Sequence, residues 1–371
     1  IPSGVIYGSP VSIIGNGVVV DPKALLNEIS YLKEKGIEPK LLVSDRCHII
    51  MPYHIELDSA LSGHQAELAA GSTGRGIAPV YADKMFRNGI RMIDLLEPNI
   101  LKQKLEKGYA FAKGIIEKSL NKKMISEPRS IFQDYINFGI KLKDYVSDTS
   151  VELYKAHQNG KSILFEGAQG ISLDVDHGIY PYTTSSNTAA GHISTGTGVS
   201  FRDIGRIIGV VKAYLSRVGE SPLPSEIDGE MAEKIRDVGG EYGTTTGRPR
   251  RIGWLDLVQV RQAVRVNGLT EIALTKLDVL NGIKEIPVCI DYEIDGSTVS
   301  EMPASLTMYR NAKPVYKTLE GWDSIPDNIW DKGFNALPKE IHNYIDFIEQ
   351  AVGCSVKIIS VGPQRHETII R

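Results

Sequence analysis

Cysteine is scarce in this chain. Cys47, Cys289 and Cys354 are the three among 371 residues, far apart and never in a Cys-x-x-Cys pair. That excludes a disulfide framework and a cysteine zinc site, and points to a reduced, intracellular setting. An excess of one charge is lacking too: 42 Lys and Arg stand against 45 Asp and Glu, a formal net charge of −3. So even a balance argues against a nucleic-acid coat or a membrane-surface binder. No apolar run approaches membrane-spanning length, and no signal peptide opens the chain. Internal repeats and low-complexity linkers are missing. The eight histidines show no His-Glu-x-x-His or other ligand spacing, and His48, His54 and His342 read as structural or exposed. The chain does not start with methionine. It opens on Ile1-Pro2-Ser3-Gly4, a phrase typical of a chain interior, so residues upstream of Ile1 are expected.

A phosphate loop of the form G-x-x-x-x-G-K-[ST] is also missing. The nearest approach, Gly160-Lys161-Ser162, has Lys155 where the first glycine belongs. It also follows a helix and precedes a strand, the reverse of the required order. It reads as a helix stop.

What is present begins with an ample supply of core residues, 42% hydrophobic. Val11 to Val20 reads as a strand, a turn and a second short strand. Asp21-Pro22 starts a helix, with Leu25, Ile29 and Leu32 on one face and Gly36 at its end. Lys40 to Ser44 is a short strand, 55–70 is partly amphipathic helix, and 71–79 is a loop. Helical periodicity over 98–122 and 130–158, rich in lysine, predicts an outer helical layer. Strands are expected at 161–165, 207–213, 271–274 and 356–360, with helices at 229–238, 254–266 and 338–352. A β-rich section covers about 286–300, and 304–335 is turn-rich. The expected architecture is therefore a single α/β domain over 1–371, with a large, mostly parallel central sheet covered by helices on both faces and a small β-rich subregion at about 286–335. Ligands gather at the carboxyl ends of the strands in such sheets, and polar loops follow predicted strands at 166–170, 217–219, 275–278 and 360–363.

The sharpest concentration of chemistry is Gly243-Thr244-Thr245-Thr246-Gly247-Arg248-Pro249-Arg250-Arg251: three hydroxyls and three guanidiniums between and beyond two glycines. Glycine lets a backbone approach a ligand, and arginine forks match carboxylate or phosphate oxygens in pairs. A solvated basic loop is the plainer reading of this stretch alone. Gly71-Ser72-Thr73-Gly74-Arg75-Gly76 is a second anion-site candidate, and the polar cluster from Glu166 to Thr188 a third. In Thr275-Lys276-Leu277-Asp278 a strand end can hold a carboxylate in the plane of guanine, accepting from its ring N–H and its amine together. The plainer alternative is a surface Lys and Asp. Asp174, Asp176 and His177 suggest a metal, but three such groups on one short loop more often make a hydrogen-bonded turn.

Together these motifs resemble adenylosuccinate synthetase. The resemblance covers essentially the whole chain. It rests on Gly-Ser-Thr-Gly-Arg-Gly at 71–76, Phe-Glu-Gly-Ala-Gln-Gly at 165–170, Asp-His-Gly and Tyr-Pro-Tyr within 176–182, and Ser-Ser-Asn-Thr at 185–188. Gly-Thr-Thr-Thr-Gly-Arg at 243–248 and Thr-Lys-Leu-Asp-Val-Leu at 275–280 complete it. The resemblance implies a P-loop-NTPase-like fold in a cytoplasmic homodimer. It implies a Mg²⁺-dependent ligase that joins IMP and L-aspartate using GTP, with GTP phosphorylating the purine O6 and the aspartate amine displacing phosphate from C6. By the same resemblance Thr73, Gln169, Thr184, Val218 and Arg248 contact IMP, and Arg87 reaches the IMP phosphate of the partner subunit. Thr244, Thr245, Thr246, Gly247, Arg248 and Arg250 clamp aspartate, and Arg250 also senses the GTP phosphates. Lys276, Leu277 and Asp278 read guanine, and Ser360, Val361 and Gly362 close over the base. The family's phosphate loop, catalytic aspartate (also a Mg²⁺ ligand) and catalytic histidine all precede Ile1. A polypeptide beginning at Ile1 is expected to be inactive, so a longer natural chain is expected, with a non-catalytic purine-nucleotide-binding protein as the alternative. Ala78 stands where the family usually has glycine.

Overall fold

The computed structural model describes residues 1–62, 73–243 and 247–371. Where one domain is expected, these residues cluster into two compact units: Ile1–Gln169 with Thr183–Asp203, and Gly170–Tyr182 with Ile204–Arg371.

In the first unit β1 (Ser12–Ile14), β3 (Leu41–Ser44) and β5 (Val146–Ser147) form a parallel sheet in the order β1-β3-β5, and β2 (Val19–Val20) pairs in parallel with β4 (His48–Ile49). The helix expected after Asp21 is α1 (Pro22–Glu34). Its cap forms as the sequence implies, with Asp21 accepting from the Lys23 and Ala24 amides, and Leu25, Ile29 and Leu32 are buried. Gly15 and Gly17 lie against the end of α7 (His192–Thr197). Gly17 N donates to Gly196 O at 2.8 Å, and a Cβ at Gly15 would stand 2.6 Å from the same oxygen. Two glycines in the turn are therefore required by close approach, not only by turning.

α2 (Pro52–Ser62) and α3 (Ile77–Phe86) follow. The loop expected to run to Pro79 stops at Gly76, because a proline in the first helical turn sacrifices no hydrogen bond. α4 (Pro98–Gly114), α5 (Pro128–Leu142) and α6 (Thr149–Gln158) complete the unit's helices. The periodicity over 130–158 is thus two helices broken by β5, whose pairing with β3 outweighs the helical pattern. These helices are more than an outer layer: Leu101, Leu105, Tyr109, Ile131, Tyr135 and Leu142 are buried in one core with β3 and α1.

The strand expected at 161–165 does not form. The run is apolar, but it has no ladder partner among the described residues, and Leu164 is 87% exposed. Hydrophobicity and β-branching suit a strand; only paired backbone makes one.

The second unit is built on a four-stranded, mostly parallel sheet. β6 (Ile208–Lys212), β10 (Glu271–Thr275) and β14 (Val356–Ser360) run parallel, and β15 (Thr368–Ile370) returns antiparallel on β14. β10 is central and buried from Glu271 through Leu274, so it reads as a continuous apolar run and not an alternation. Its core cluster includes Ile341, Tyr344, Ile345 and Ile348 of α12 (Lys339–Val352) and Leu257 and Val260 of α9 (Leu257–Asn267). Beside it β7 (Tyr214–Arg217), β8 (Glu226–Ile227) and β9 (Arg251–Trp254) form an antiparallel sheet with β9 in the middle. α8 (Gly229–Gly239) lies between β8 and β9 in the chain. Trp254, expected to begin a helix, closes β9, and α9 starts after the Asp256 cap. The β-rich section is β11 (Glu285–Ile294) with β12 (Ser297–Val299) and β13 (Lys313–Glu320). β13 falls inside the stretch expected to be turns. Its side chains alternate only loosely between exposed and half-buried, which hides an edge strand from pattern reading. Two short helices, α10 (Leu306–Arg310) and α11 (Ile329–Lys332), flank it.

Candidate functional site

Because β6, β10 and β14 are parallel, their carboxyl ends share one edge. In register, Lys212 at the end of β6 stands beside Thr275 at the end of β10, and Leu274 beside Ile359 near the end of β14. That edge gathers Lys212, Lys276, Asp278 and Ser360 to Gly362, the arrangement that makes strand ends ligand sites. Beyond Thr275 the chain turns at Lys276, which has φ +67°, into a 3₁₀ turn over Leu277–Leu280. Lys276 Nζ donates to Gly239 O at the end of α8, 2.8 Å away. Leu277 and Val361 are buried in the core, so their side chains are packing, and only their backbone is left for a ligand. Asp278 is half-buried. Burial pushes its carboxyl above the usual aspartate range, against the pull of backbone N–H groups and the Lys276 charge.

Opposite, Ser360 Oγ donates to Gly362 O at 3.0 Å, and Val361 N donates to Glu367 O at 3.0 Å. A Cβ on Gly362 would stand 2.4 Å from Glu367 Oε2, so the Glu367 carboxylate packs directly against the Gly362 backbone. Glu367 also raises the Asp278 carboxyl further. Nothing in its type or neighbours marked Glu367 as part of this edge.

The basic stretch is closed on itself. Gly243 N donates to Arg248 O at 2.8 Å, Gly247 N (φ +64°) to Gly243 O at 2.7 Å, and Arg250 N to Glu241 O at 2.9 Å. Thr244, Thr245 and Thr246 lie outside the described residues. The three guanidiniums separate into different jobs. Arg248 is exposed and pairs with the Glu220 carboxylate at 3.5 Å. Arg250 Nη1 donates to Glu241 Oε2 at 2.7 Å. Arg251 pairs through two nitrogens with Glu226 and also donates to Gly219 O and Ser221 O, so it is structural and not part of a ligand clamp. Val218 is 51% exposed, just past β7.

Lys212, Tyr214 and Glu241 were not legible as site residues. They sit in ordinary strand and loop positions, and only the fold places them beside Arg250. Asp174, fully buried, accepts from the Asp176 and His177 amides at 3.0 Å each, the hydrogen-bonded turn.

In the first unit, Thr73 is exposed at the start of a bend that ends at Gly76, whose N–H donates to buried Asp58 at 2.8 Å. Arg87 is exposed in left-handed conformation (φ +65°) capping α3. Gln169, also left-handed (φ +61°), is exposed. Thr184 is half-buried, its Oγ1 3.4 Å from Ser186 Oγ. Thr73, Arg87, Gln169 and Thr184 thus belong to one unit, and Val218, Gly247, Arg248, Arg250, Lys276, Asp278 and Ser360 to Gly362 to the other.

Comparison with known proteins bears on this arrangement. The sequence matches the protein family described as adenylosuccinate synthetase over residues 1–369. It is 48% identical to the adenylosuccinate synthetase of Geobacter sulfurreducens and 46% identical to that of Thermodesulfovibrio yellowstonii. Each alignment spans 100% of this chain and 86% of the relative. The structure of fully ligated adenylosuccinate synthetase from Plasmodium falciparum superposes with a TM-score of 0.91 at 33% identity, over 100% of this chain and 87% of that one. The chain belongs to the adenylosuccinate synthetase family, the ligases that join IMP and aspartate in a GTP-dependent reaction of AMP biosynthesis.

Proposed function

We propose that the parallel-strand edge of the second unit holds the guanine base of GTP and, through the adjoining loop, the aspartate. The observation that carries this is Asp278: a half-buried carboxylate at the end of a buried strand, with Lys276 beside it. An ionised carboxylate there accepts from the guanine N1–H and 2-amine in one plane, while Ser360, Val361 and Gly362 lie along the base. Arg248 and Arg250, with Thr244, Thr245, Thr246 and Gly247, meet the two carboxylates of aspartate, and Arg250 also faces the GTP phosphates. Thr73, Gln169, Thr184, Val218 and Arg248 hold IMP. The reaction then runs in two displacements: the purine O6, with the N1 proton removed, takes the γ-phosphoryl group of GTP and GDP leaves, and the aspartate amine then attacks C6, losing a proton as phosphate leaves. The chain's part in this is positioning and charge neutralisation.

Arg87 reaches the IMP phosphate in a second copy of the chain. Its exposure, next to Met85 at 71% and Phe86 at 61%, supports a subunit contact at the end of α3. Magnesium is expected with GTP. Among the described residues no group of three or more His, Cys, Asp or Glu could hold a metal ion, so these residues do not fit a protein-held ion. Among the same residues no helix is long and apolar enough to cross a membrane, and the three cysteines are buried and free. Free thiols support a reducing, cytoplasmic setting.

Asp278→Asn tests the reading. ITP lacks the 2-amine, so the wild-type ratio of kcat/KM for GTP over ITP should fall at least about tenfold in the variant, the worth of one charged hydrogen bond. An unchanged ratio would remove Asp278 from the base site.

A further inference from the structure

Glu241 is 1% exposed, and three donors share its carboxylate. Oε1 accepts from Lys212 Nζ at 2.6 Å and from the Tyr214 hydroxyl at 2.7 Å, while Oε2 accepts from Arg250 Nη1 at 2.7 Å. Lys212 Nζ also donates to Ser216 Oγ at 2.6 Å. The main chain repeats the link, because Glu241 N donates to Arg236 O at 2.8 Å and Glu241 O accepts from Arg250 N at 2.9 Å. Arg236 Nε donates in turn to Arg250 O at 2.9 Å. Arg250 is therefore held at its amide, its carbonyl and its guanidinium, and Glu241 supplies two of the three holds.

Packing alone does not explain such a group. A buried carboxylate needs one cation to compensate it, and this one has two. Lys276 adds a third positive charge close enough to act on Lys212. Against Lys212, Arg250 and Lys276 stand Glu241 and Asp278, so a surplus of one positive charge remains, of the sign an anion site requires. Glu241 engages one amino group of the Arg250 fork, a guanidinium carries five N–H donors, and among the described residues no other group accepts from this fork, which leaves donors for a ligand.

We propose that Glu241 is a positioning residue for the dicarboxylate substrate. It locks Arg250 to Lys212 at the end of β6, so that the arginine is already placed when the substrate carboxylate arrives. Preorganisation of this kind tightens binding by sparing the ordering of a long side chain. The inference rests on the reading of Arg250 as an aspartate ligand.

The test is steady-state kinetics on the protein expressed from its own gene, with L-aspartate varied, for Glu241→Gln, Arg250→Ala and the double variant. Glu241→Gln should raise the aspartate KM at least tenfold while kcat stays within threefold and the GTP KM within threefold. The double variant should match Arg250→Ala within twofold, because both changes remove the same placed guanidinium. A raised aspartate KM in Arg250→Ala with an unchanged one in Glu241→Gln overturns the role of Glu241 and leaves that of Arg250 standing. An unchanged KM in Arg250→Ala overturns the Arg250 reading, and this inference with it. Should Glu241→Gln not fold, Tyr214→Phe removes one donor from the same carboxylate and should raise the aspartate KM two- to fivefold; no change there would also overturn the proposal. Amide hydrogen exchange of the 247–254 segment gives a readout without turnover. Exchange should quicken at least tenfold in Glu241→Gln, and unaltered protection counts against the lock.

Discussion

Lys276 Nζ and the Gly239 carbonyl are 2.8 Å apart, which ties the turn carrying Asp278 to the last turn of α8. A cation at a helix carboxyl end meets carbonyls that have no helical partner and the negative end of the dipole. Lys276→Met should therefore lose about 1 kcal/mol of stability, read as a lower melting temperature, together with a higher GTP KM. A variant with wild-type melting would show that the bond contributes nothing.

Asp278 has a carboxyl pushed upward by burial, so it takes a proton at higher pH than an ordinary aspartate. Two consequences follow with opposite signs. Preference for GTP over ITP should weaken as pH falls through this raised value, and Asp278→Asn should flatten that profile. For stability, a raised folded-state value favours the protonated form. The stabilisation is complete below the unfolded-state value and is lost as pH rises through the folded one. At neutral pH the charged Asp278 is then a burden, and Asp278→Asn should melt at the same or a higher temperature. A lower melting temperature would contradict the assigned environment.

Arg248 and Arg251 are three residues apart and should behave oppositely. Arg248 is exposed, so Arg248→Ala should change stability by less than about 0.5 kcal/mol while raising the KM for aspartate and for IMP. Arg251 holds Glu226 and two carbonyls, so Arg251→Ala should cost about 2 kcal/mol of stability. Thermal melts beside kinetics separate the two; equal melting losses would refute the assignment.

Arg87→Ala should lower activity without a large stability change, since the side chain is exposed. Mixed with a variant dead at another site residue, it should recover part of the activity if each site borrows Arg87 from a second copy. No recovery in mixtures would confine each site to one chain.

Much of the fold is written locally. The Asp21-Pro22 cap of α1, the apolar run of β10 and the periodicity of α12 each follow from a few adjacent residues, and each formed where the pattern placed it. The same is true of the hydrogen-bonded turn at Asp174. The run at 161–165 marks the limit. It has the composition of a strand and is exposed coil, because a strand exists only when a second backbone lies alongside.

Residue type and spacing by themselves determined the family, and they marked Lys276, Asp278 and the arginine-rich stretch at 243–251 as the candidates proposed for guanine and anion binding, because those signals depend on which groups stand next to one another along the chain. The tertiary structure alone decided that Arg251 serves Glu226, that Leu277 belongs to the core, and that Glu241, Lys212 and Tyr214 stand around Arg250. Those outcomes turn on groups 9 to 29 residues apart brought within hydrogen-bond reach, and no local pattern carries a distance across a fold.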